Sequence, residues 1–486
     1  MKFEEICSVL ERLEQDNDVN ALQIQGIALW PLIRQCIWAE LLKPESKSAQ
    51  FVSFSRRILR KLRNTLHISG RFSIQIPPGI STIFISQPEN LQELPSSGQW
   101  FDRIIDPLLF LESHQTHSRK YYLGNLSRIN GLFFPGSQLL PGITRPISEI
   151  KSVSTQVIDL FIQAGLPKER ALPLFKQAYR RFYKFYRTGL RIFKNRPNLQ
   201  RMYISSWYTP ENMGLIAAAR ELGINTIDVQ HGKQGRYQAM YSWWTSIPDQ
   251  GYQMLPEWFW CWGNPSVRHI LAHSSKRPIH KPFVGGFPWP DYFRRYIFTH
   301  KQTSANTNQR KVLFTLQPPL DSSFEPIPDF VLNYLKSDLS ANDLFIFRGH
   351  PNYPDSIRYC KERLREVSEK CYDISDGREN LYNELLESTH HITAFSSCCY
   401  EAEMCGIPTL LFGTDAQSIY SDEIEFARFS WTEGHLDDLC QWLDDTPKVM
   451  TAHNSQYIEA SLSLASNQLQ ALRHSPFPAP YSSSDK

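Results

Sequence analysis

Short apolar segments alternate with helical segments over most of this sequence, and that alternation restricts its fold more than any other feature. The clearest unit has a strand at 202–206, a helix at 210–222 and a strand at 225–229. A second alternating series follows a polar stretch at 299–310. Because 486 residues exceed what one core usually serves, the pattern predicts two α/β, Rossmann-like domains facing each other across a cleft.

Changes in composition along the chain give the predicted domain boundaries. These are a helical N-terminal segment at 1–70, a Rossmann-like domain at 71–298, a linker at 299–310, a second Rossmann-like domain at 311–450, and a C-terminal helix with a disordered tail at 451–486. The acidic N-terminus has no signal-peptide pattern, and no apolar run reaches about 18 residues. We therefore expect a cytoplasmic protein, with peripheral attachment to the inner membrane left open.

The charge pattern argues against one class of partner and leaves another open. A net charge of +3 gives no argument for nucleic acid, and the nine cysteines contain no CxxC pair that would indicate a zinc site. Two stretches are nevertheless basic, 56–63 and 180–196, and the second interleaves Phe and Tyr with seven cations. Such a segment either lies on an anionic membrane or forms a solvated face above a core-facing aromatic stripe.

A Gln-His-Gly tripeptide, Gln230 to Gly232, directly follows the strand at 225–229. In open parallel sheets ligands bind just beyond the carboxyl ends of strands, so His231 is predicted to lie in a site. The glycine permits a sharp turn or the close approach of a ligand. The alternative is a structural histidine bonded to its own loop. Asp228 is the nearest carboxylate, although strand alternation favours its burial.

A second strand end, after 343–347, carries Arg348, His350 and Pro351. Proline fixes the backbone there, a histidine donates to a phosphate oxygen or a ribose hydroxyl, and an arginine adds charge-assisted contacts to a diphosphate. The pattern therefore predicts part of a nucleotide site.

A third strand end carries Ser396 and Ser397, with Glu401 on the helix that follows. The hydroxyls and free N–H groups are suited to phosphate, and the carboxylate is suited to a ribose diol. The alternative is that the serines cap the helix and Glu401 completes a capping arrangement.

The segment 237–252 is rich in aromatic residues and has no strong helix pattern; it includes Tyr237 and Tyr241. It either stacks on sugars as a mobile loop or forms a buried lid.

The order Gln-His-Gly, His-Pro, Ser-Ser with Glu-Ala and Gly-x-Pro resembles the GT-B glycosyltransferases over roughly residues 200 to 415. It is closest in pattern to bacterial enzymes of capsule and lipopolysaccharide synthesis, including the polysialyltransferase-like and CDP-glycerol glycerophosphotransferase families. The resemblance implies sugar transfer from a nucleotide-sugar donor to a hydroxyl of a growing surface glycan or lipid-linked acceptor. It also implies an acceptor-binding N-terminal domain and a nucleotide-binding C-terminal domain.

The resemblance also implies roles for the residues at the strand ends. His231 would act at the reacting centre and Arg348 would stabilise the leaving nucleotide. The donor nucleotide would be bound by His350, Pro351, Ser396, Ser397 and Glu401, and the acceptor side would comprise Gln230, Gly232, Tyr237 and Tyr241. No DxD-like pair follows a strand, so neither a metal nor another cofactor is expected.

One departure and three alternatives accompany this interpretation. The chain lacks the acidic Asp/Glu-Asp/Glu-Gly motif of bacterial sialyltransferases, which argues against a sialic-acid donor and a carboxylate base. The alternatives are a CDP-glycerol-type polyol-phosphate transferase, a sugar-nucleotide epimerase, and a non-catalytic glycan-binding accessory subunit.

Overall fold

The protein is described by a computed structural model. It covers residues 3–42, 76–94, 97–113, 117–124, 126, 129, 131–139, 152–272, 279–297, 309–317, 324–350, 355–377, 380–446 and 458–474. The helices are α1 (Phe3–Asp16), α2 (Trp30–Leu41), α3 (Asp106–Ser113), α4 (Ser154–Gln163), α5 (Lys168–Phe193), α6 (Pro210–Glu221), α7 (Asn264–Leu271), α8 (Trp289–Tyr292), α9 (Asp329–Lys336), α10 (Ser356–Arg363), α11 (Leu381–Glu387), α12 (Cys398–Met404), α13 (Thr414–Ile419), α14 (Ser421–Glu425), α15 (Leu436–Asp445) and α16 (Leu462–His474).

The strands are short and mostly buried. They are β1 (Gln23–Ile24), β2 (Ile27–Ala28), β3 (Thr82–Ser86), β4 (Leu91–Glu93), β5 (Trp100–Asp102), β6 (Ser118–Tyr122), β7 (Gly136–Gln138), β8 (Arg201–Ser205), β9 (Asn225–Val229), β10 (Trp258–Cys261), β11 (Lys281–Val284), β12 (Arg310–Thr315), β13 (Asp343–Arg348), β14 (Tyr372–Ser375), β15 (His390–Thr393), β16 (Thr409–Phe412) and β17 (Ser430–Thr432).

Among the described residues, the first large sheet has seven parallel strands in the order β11-β10-β9-β8-β3-β6-β7. The chain runs outward from β3 through β6 and β7, then returns to the other side of β3 at β8. This reversal places a topological switch point between β3 and β8, where open α/β sheets bind ligands.

The second large sheet has six parallel strands in the order β14-β13-β12-β15-β16-β17, with its switch point between β12 and β15. Two parallel-sheet α/β domains preceded by helices confirm the predicted fold class. Of the predicted linker at 299–310, residues 299–308 lie outside the described part of the chain, and strand β12 begins at its last residue, Arg310.

The N-terminal helices and the C-terminal helix both pack on the first domain. Side chains of α1 and α2, such as Leu10 and Ile33, share one hydrophobic core with α5 and α6. At the other end of the chain, Arg473 of α16 forms an ion pair with Glu112 at 3.1 Å. The helical extension is therefore part of the first domain's core.

Helix α5 decides between the two interpretations of the basic aromatic stretch at 180–196. Arg181 and Arg187 are exposed, whereas Phe182 and Tyr186 are buried. The aromatic stripe packs inward against α6, where a Cβ on Gly214 would lie 2.4 Å from the Phe182 carbonyl oxygen. The aromatic residues therefore belong to the core and do not form a membrane-facing surface.

The basic stretch at 56–63 lies outside the described residues. In the part of the chain that the structure covers, every helix is too short or too polar to cross a membrane.

Candidate functional site

His231 lies at the carboxyl edge of the first sheet, two residues after β9. Its Nε2 is 3.0 Å from the Ser206 hydroxyl and 3.3 Å from the Tyr208 hydroxyl. Ser206 has a positive φ of 60°, which costs energy for a residue with a side chain. Asn212 supports this conformation by donating to the carbonyl oxygens of Ser205 and Ser206, both at 2.9 Å. The strained turn thus aims a hydroxyl at the imidazole.

The two residues beside His231 have different roles from those the sequence suggested. Gln230 is 3% exposed, accepts from the Trp262 N–H at 2.7 Å and donates to the Gly232 carbonyl at 2.8 Å. It therefore holds the loop in place. The fold itself does not require glycine at this position, because Gly232 has φ outside the left-handed region and a Cβ there would meet none of the described residues within 4 Å; the close approach of a ligand stays a prediction.

The nearest carboxylate, Asp228, is fully buried behind His231. It accepts from the Trp207 N–H at 3.0 Å and from the Tyr241 hydroxyl at 2.9 Å. Burial raises the pKa of Asp228 well above its ordinary value. This carboxyl supports the loop and does not face the cleft.

The segment 237–252 is held by the N-terminal helices through a buried ion pair between Glu14 and Arg34 at 2.6 Å. Glu14 accepts from the Thr245 N–H at 2.6 Å, and Arg34 donates to the Trp243 carbonyl at 2.9 Å. Tyr241 is 1% exposed. Its placement agrees with a buried lid and disagrees with a mobile loop that stacks on sugars.

A residue that sequence reasoning missed, Arg103, lies between β5 and α3 at the same sheet edge. Its N–H donates to the Asn90 carbonyl at 3.2 Å, and the Asn90 side chain donates to the hydroxyls of Ser86 and Ser205 at 3.0 and 3.1 Å. Ser86 ends β3 and Ser205 ends β8. Asn90 therefore anchors Arg103 at the topological switch point.

Two buried carboxyl groups shape the turn that presents Arg103. Asp102 accepts from the N–H groups of Ile104 and Ile105, both at 3.1 Å, and Asp106 accepts from the Asp102 N–H at 2.8 Å. Asp106 also forms a buried ion pair with Lys120 of β6. Burial nevertheless raises the pKa of Asp106 to about 7.

The second domain supplies the opposite wall. Arg348, at the end of β13, forms an ion pair with Glu384 and donates to the Gly377 carbonyl at 2.9 Å. Its guanidinium thus braces its own domain, and contact with a leaving group stays a prediction. His350 follows two residues later, and Pro351 lies outside the described residues.

At the start of α12, Ser396 accepts from the Cys398 N–H at 3.3 Å, whereas the Ser397 side chain makes no capping hydrogen bond. Only Ser396 thus fits the capping alternative. Glu401 completes no capping box. Instead its Oε1 receives a hydrogen bond from Arg103 at 3.0 Å, across the cleft. Its other oxygen, Oε2, is buried without a hydrogen-bond partner among the described residues.

The charge of Arg103 acts on both walls. Burial first, and then Arg103, lowers the pKa of His231 to about 4. The same two causes, with a further contribution from Arg348, lower the pKa of His350 to about 4. Burial raises the pKa of Glu401, and Arg103 partly offsets that rise. Glu401 thus binds the Arg103 guanidinium directly, and both imidazoles lie within reach of its charge.

Further contacts close the cleft beside this cluster. Lys233 of the first domain forms an ion pair with Glu423 and donates to the Tyr400 hydroxyl at 2.6 Å. His269 contacts Asp422 at 2.8 Å. Between these contacts lies a small gap, lined in part by Gln230 and His269.

The missed residues differ in how visible they are in the sequence. Ser206 and Tyr208 follow β8 as His231 follows β9, so the strand-end rule would have found them. Arg103 carries no such signal, because β5 belongs to a separate two-stranded sheet.

Comparisons with known proteins show the fold. No family model matches the chain, and no curated protein matches it. Among solved structures, the UDP-GlcNAc 2-epimerase of Neisseria meningitidis bound to UDP-GlcNAc has a TM-score of 0.52 at 12% identity, covering 82% of this chain and 100% of that one. The enzyme of Methanocaldococcus jannaschii has a TM-score of 0.50 at 10% identity, with coverage of 82% and 100%.

A third UDP-N-acetylglucosamine 2-epimerase has a TM-score of 0.51 at 12% identity and covers 82% of this chain and 97% of that one. These relatives overturn the main functional expectation. The prediction of a glycosyltransferase that extends a surface glycan is wrong, because the similar structures are epimerases. They agree with the sugar-nucleotide epimerase that the sequence left as an alternative.

Proposed function

We propose that this protein is an enzyme that binds a uridine-diphosphate N-acetylhexosamine in its cleft and inverts the configuration at carbon 2 of that sugar. The observation that carries the proposal is the ion pair between Arg103 and Glu401 across the cleft, with the charge of Arg103 also lowering the pKa of His231 and His350. The epimerase fold of the similar structures supports it. The burial of the aromatic stripe of α5 also removes a reason for preferring a membrane-bound glycan as the substrate.

The cleft contains groups that suit each part of such a substrate. Glu401 keeps a buried oxygen, Oε2, available to accept a hydrogen bond, and a ribose hydroxyl is a donor of the right kind. Arg103 offers a guanidinium to the diphosphate. Ser396 and Ser397 remain proposed phosphate contacts.

Inversion at carbon 2 breaks one C–H bond and forms another on the opposite face, with no net change in oxidation state. Because no carbonyl lies beside this C–H bond, we propose that the proton leaves as the C1–O bond to the diphosphate breaks, which forms a double bond between carbons 1 and 2. The proton then returns to the opposite face as the diphosphate adds back to carbon 1. A neutral imidazole accepts the first proton, and the lowered pKa keeps His231 neutral above about pH 4. An anionic diphosphate beside Arg103 would raise the pKa of both imidazoles towards neutrality, where proton transfer in either direction is efficient. We assign removal of the proton from one face to His231, oriented by Ser206 and Tyr208, and return of a proton to the opposite face to His350.

The test is solvent exchange at carbon 2. The enzyme is incubated with UDP-GlcNAc in D₂O, and proton NMR follows the loss of the carbon-2 proton and the appearance of a second N-acetylhexosamine. His231→Ala is expected to slow exchange about 100-fold or more. His435→Ala is the matched control, because the His435 side chain is 70% exposed. Binding of UDP-GlcNAc without exchange would overturn epimerisation, and absence of binding would also overturn the substrate class.

A further inference from the structure

We propose that Arg103 is the residue by which the first domain binds the diphosphate, and that it makes the site selective for nucleoside diphosphates over monophosphates. This inference rests on the proposed function, since it assumes that a nucleotide occupies the cleft. It assigns a ligand-contacting role to a position that belongs to none of the strand-end motifs.

The Arg103 guanidinium has more hydrogen-bond donors than Glu401 uses. Arginine has five N–H donors in a fixed planar arrangement that matches two phosphate oxygens at once. Glu401 takes the donor at Nη1. The Arg103 side chain is 18% exposed, so an anion in the cleft can reach the remaining edge of the group.

The backbone of Arg103 is fixed before any ligand binds. Asn90 binds its backbone, and Asp102 and Asp106 close the turn around it. The Lys120 ion pair ties that turn to β6. A cation held in this way loses little conformational freedom when a ligand binds, which favours affinity.

Arg103 differs from Arg348, the other arginine of the cleft, in what it contacts. Arg348 pairs with Glu384 inside its own domain. It contributes to the lowered pKa of His350 and not to that of His231. Arg103 pairs across the cleft and acts on both imidazoles. A diphosphate that lies between the two walls would therefore meet Arg103.

Glu401 follows from this geometry as a positioning residue for Arg103. Its Oε1 orients the guanidinium while its buried Oε2 remains an acceptor. One carboxylate would thus join the ribose contact to the diphosphate contact. A nucleoside, which has no phosphate, would make only the ribose contact.

The experiment measures the dissociation constants of UDP, UMP and uridine by calorimetry for the wild type, Arg103→Gln and Arg103→Lys. Wild type is expected to bind UDP more tightly than UMP. Arg103→Gln should weaken UDP binding about 10- to 100-fold, because a charge-assisted contact is lost, and should change uridine binding only a few-fold. Arg103→Lys keeps the charge and should restore part of the loss. Arg181→Gln, on an exposed ion pair of α5, is the control.

The outcomes separate the proposed function from the role of Arg103. If wild type binds none of the three ligands, the proposed function fails. If wild type binds UDP and Arg103→Gln keeps the same UDP-to-UMP ratio, only the role of Arg103 is overturned. Equal losses for UDP and uridine would show a structural role and also overturn it. Should the single variant unfold, Arg103→Gln with Glu401→Gln removes both buried charges, and the same ratio decides.

Discussion

Each wall of the cleft carries a histidine with a lowered pKa, but different kinds of contact hold the two walls in place. On the first wall, support for the loop after His231 comes from far away in the chain: Glu14 bonds to Thr245 over a separation of 231 residues. On the second wall, the ion pair between Arg348 and Glu384 spans only 36 residues. The first wall depends on the N-terminal helices, and the second is built within its own domain, between β13 and α11.

The largest expected effect comes from breaking the long-range support. Glu14→Ala leaves Arg34 buried without its partner and also leaves the Thr245 N–H unpaired. We expect the free energy of unfolding to fall by about 3–5 kcal/mol, measured by urea denaturation. Arg181→Ala, which breaks an exposed pair, should change it by no more than about 1 kcal/mol. A loss that small for Glu14→Ala would mean that packing alone holds the segment.

The lowered pKa values of His231 and His350 predict that the folded protein loses stability in acid. Each has a pKa of about 4 when folded, against an ordinary value near 6.5, so the unfolded chain takes up protons first as the pH falls. Their contribution is complete above about pH 6.5 and declines towards pH 4, by at most about 1.4 kcal/mol per pH unit for each histidine. His231→Gln and His350→Gln should each flatten the slope of unfolding free energy between these values. An unchanged slope in either variant would contradict the pKa of that histidine.

A matched pair of smaller substitutions compares the walls directly. Tyr241→Phe removes the hydroxyl that donates to Asp228 at 2.9 Å, and Tyr420→Phe removes the one that donates to the Phe395 carbonyl at 3.2 Å. We expect losses of about 1–3 kcal/mol for the first and about 1 kcal/mol for the second, because a buried carboxyl is costlier to leave unpaired. Thermal unfolding measures both. Equal losses would remove the contrast between the walls.

The sequence predicted well the strands that carry this candidate site. Strand β9 has the bounds that its apolar run indicated, and the residues after β9, β13 and β15 lie at the cleft because parallel strands end at one edge. Periodicity cannot show which distant segment supplies a partner. The burial of Tyr241 depends on Glu14 and Arg34, whose pairing leaves no local pattern.

Function was harder to predict than fold for a related physical reason. Gln-His-Gly, His-Pro and Ser-Ser mark strand ends of a fold that serves more than one chemistry, so they do not distinguish transfer from epimerisation. The aromatic residues of α5 favoured a membrane-bound glycan only while their direction was unknown. Once Phe182 and Tyr186 are seen to face α6, that argument disappears.

The smallest expected effect links the two walls most directly. Arg103→Gln removes one positive charge from the first domain, so the pKa of His231 should rise. The pKa of His350, on the other domain, should rise as well. Because burial is the larger cause for both, neither should reach the ordinary value. Proton NMR titration of the ring signals, assigned with His231→Gln and His350→Gln, measures the shifts, and Arg103→Lys should leave both nearly unchanged. A rise in the pKa of His231 alone would mean that the charge of Arg103 does not reach His350, and the proposed link between the two walls through Arg103 would be wrong.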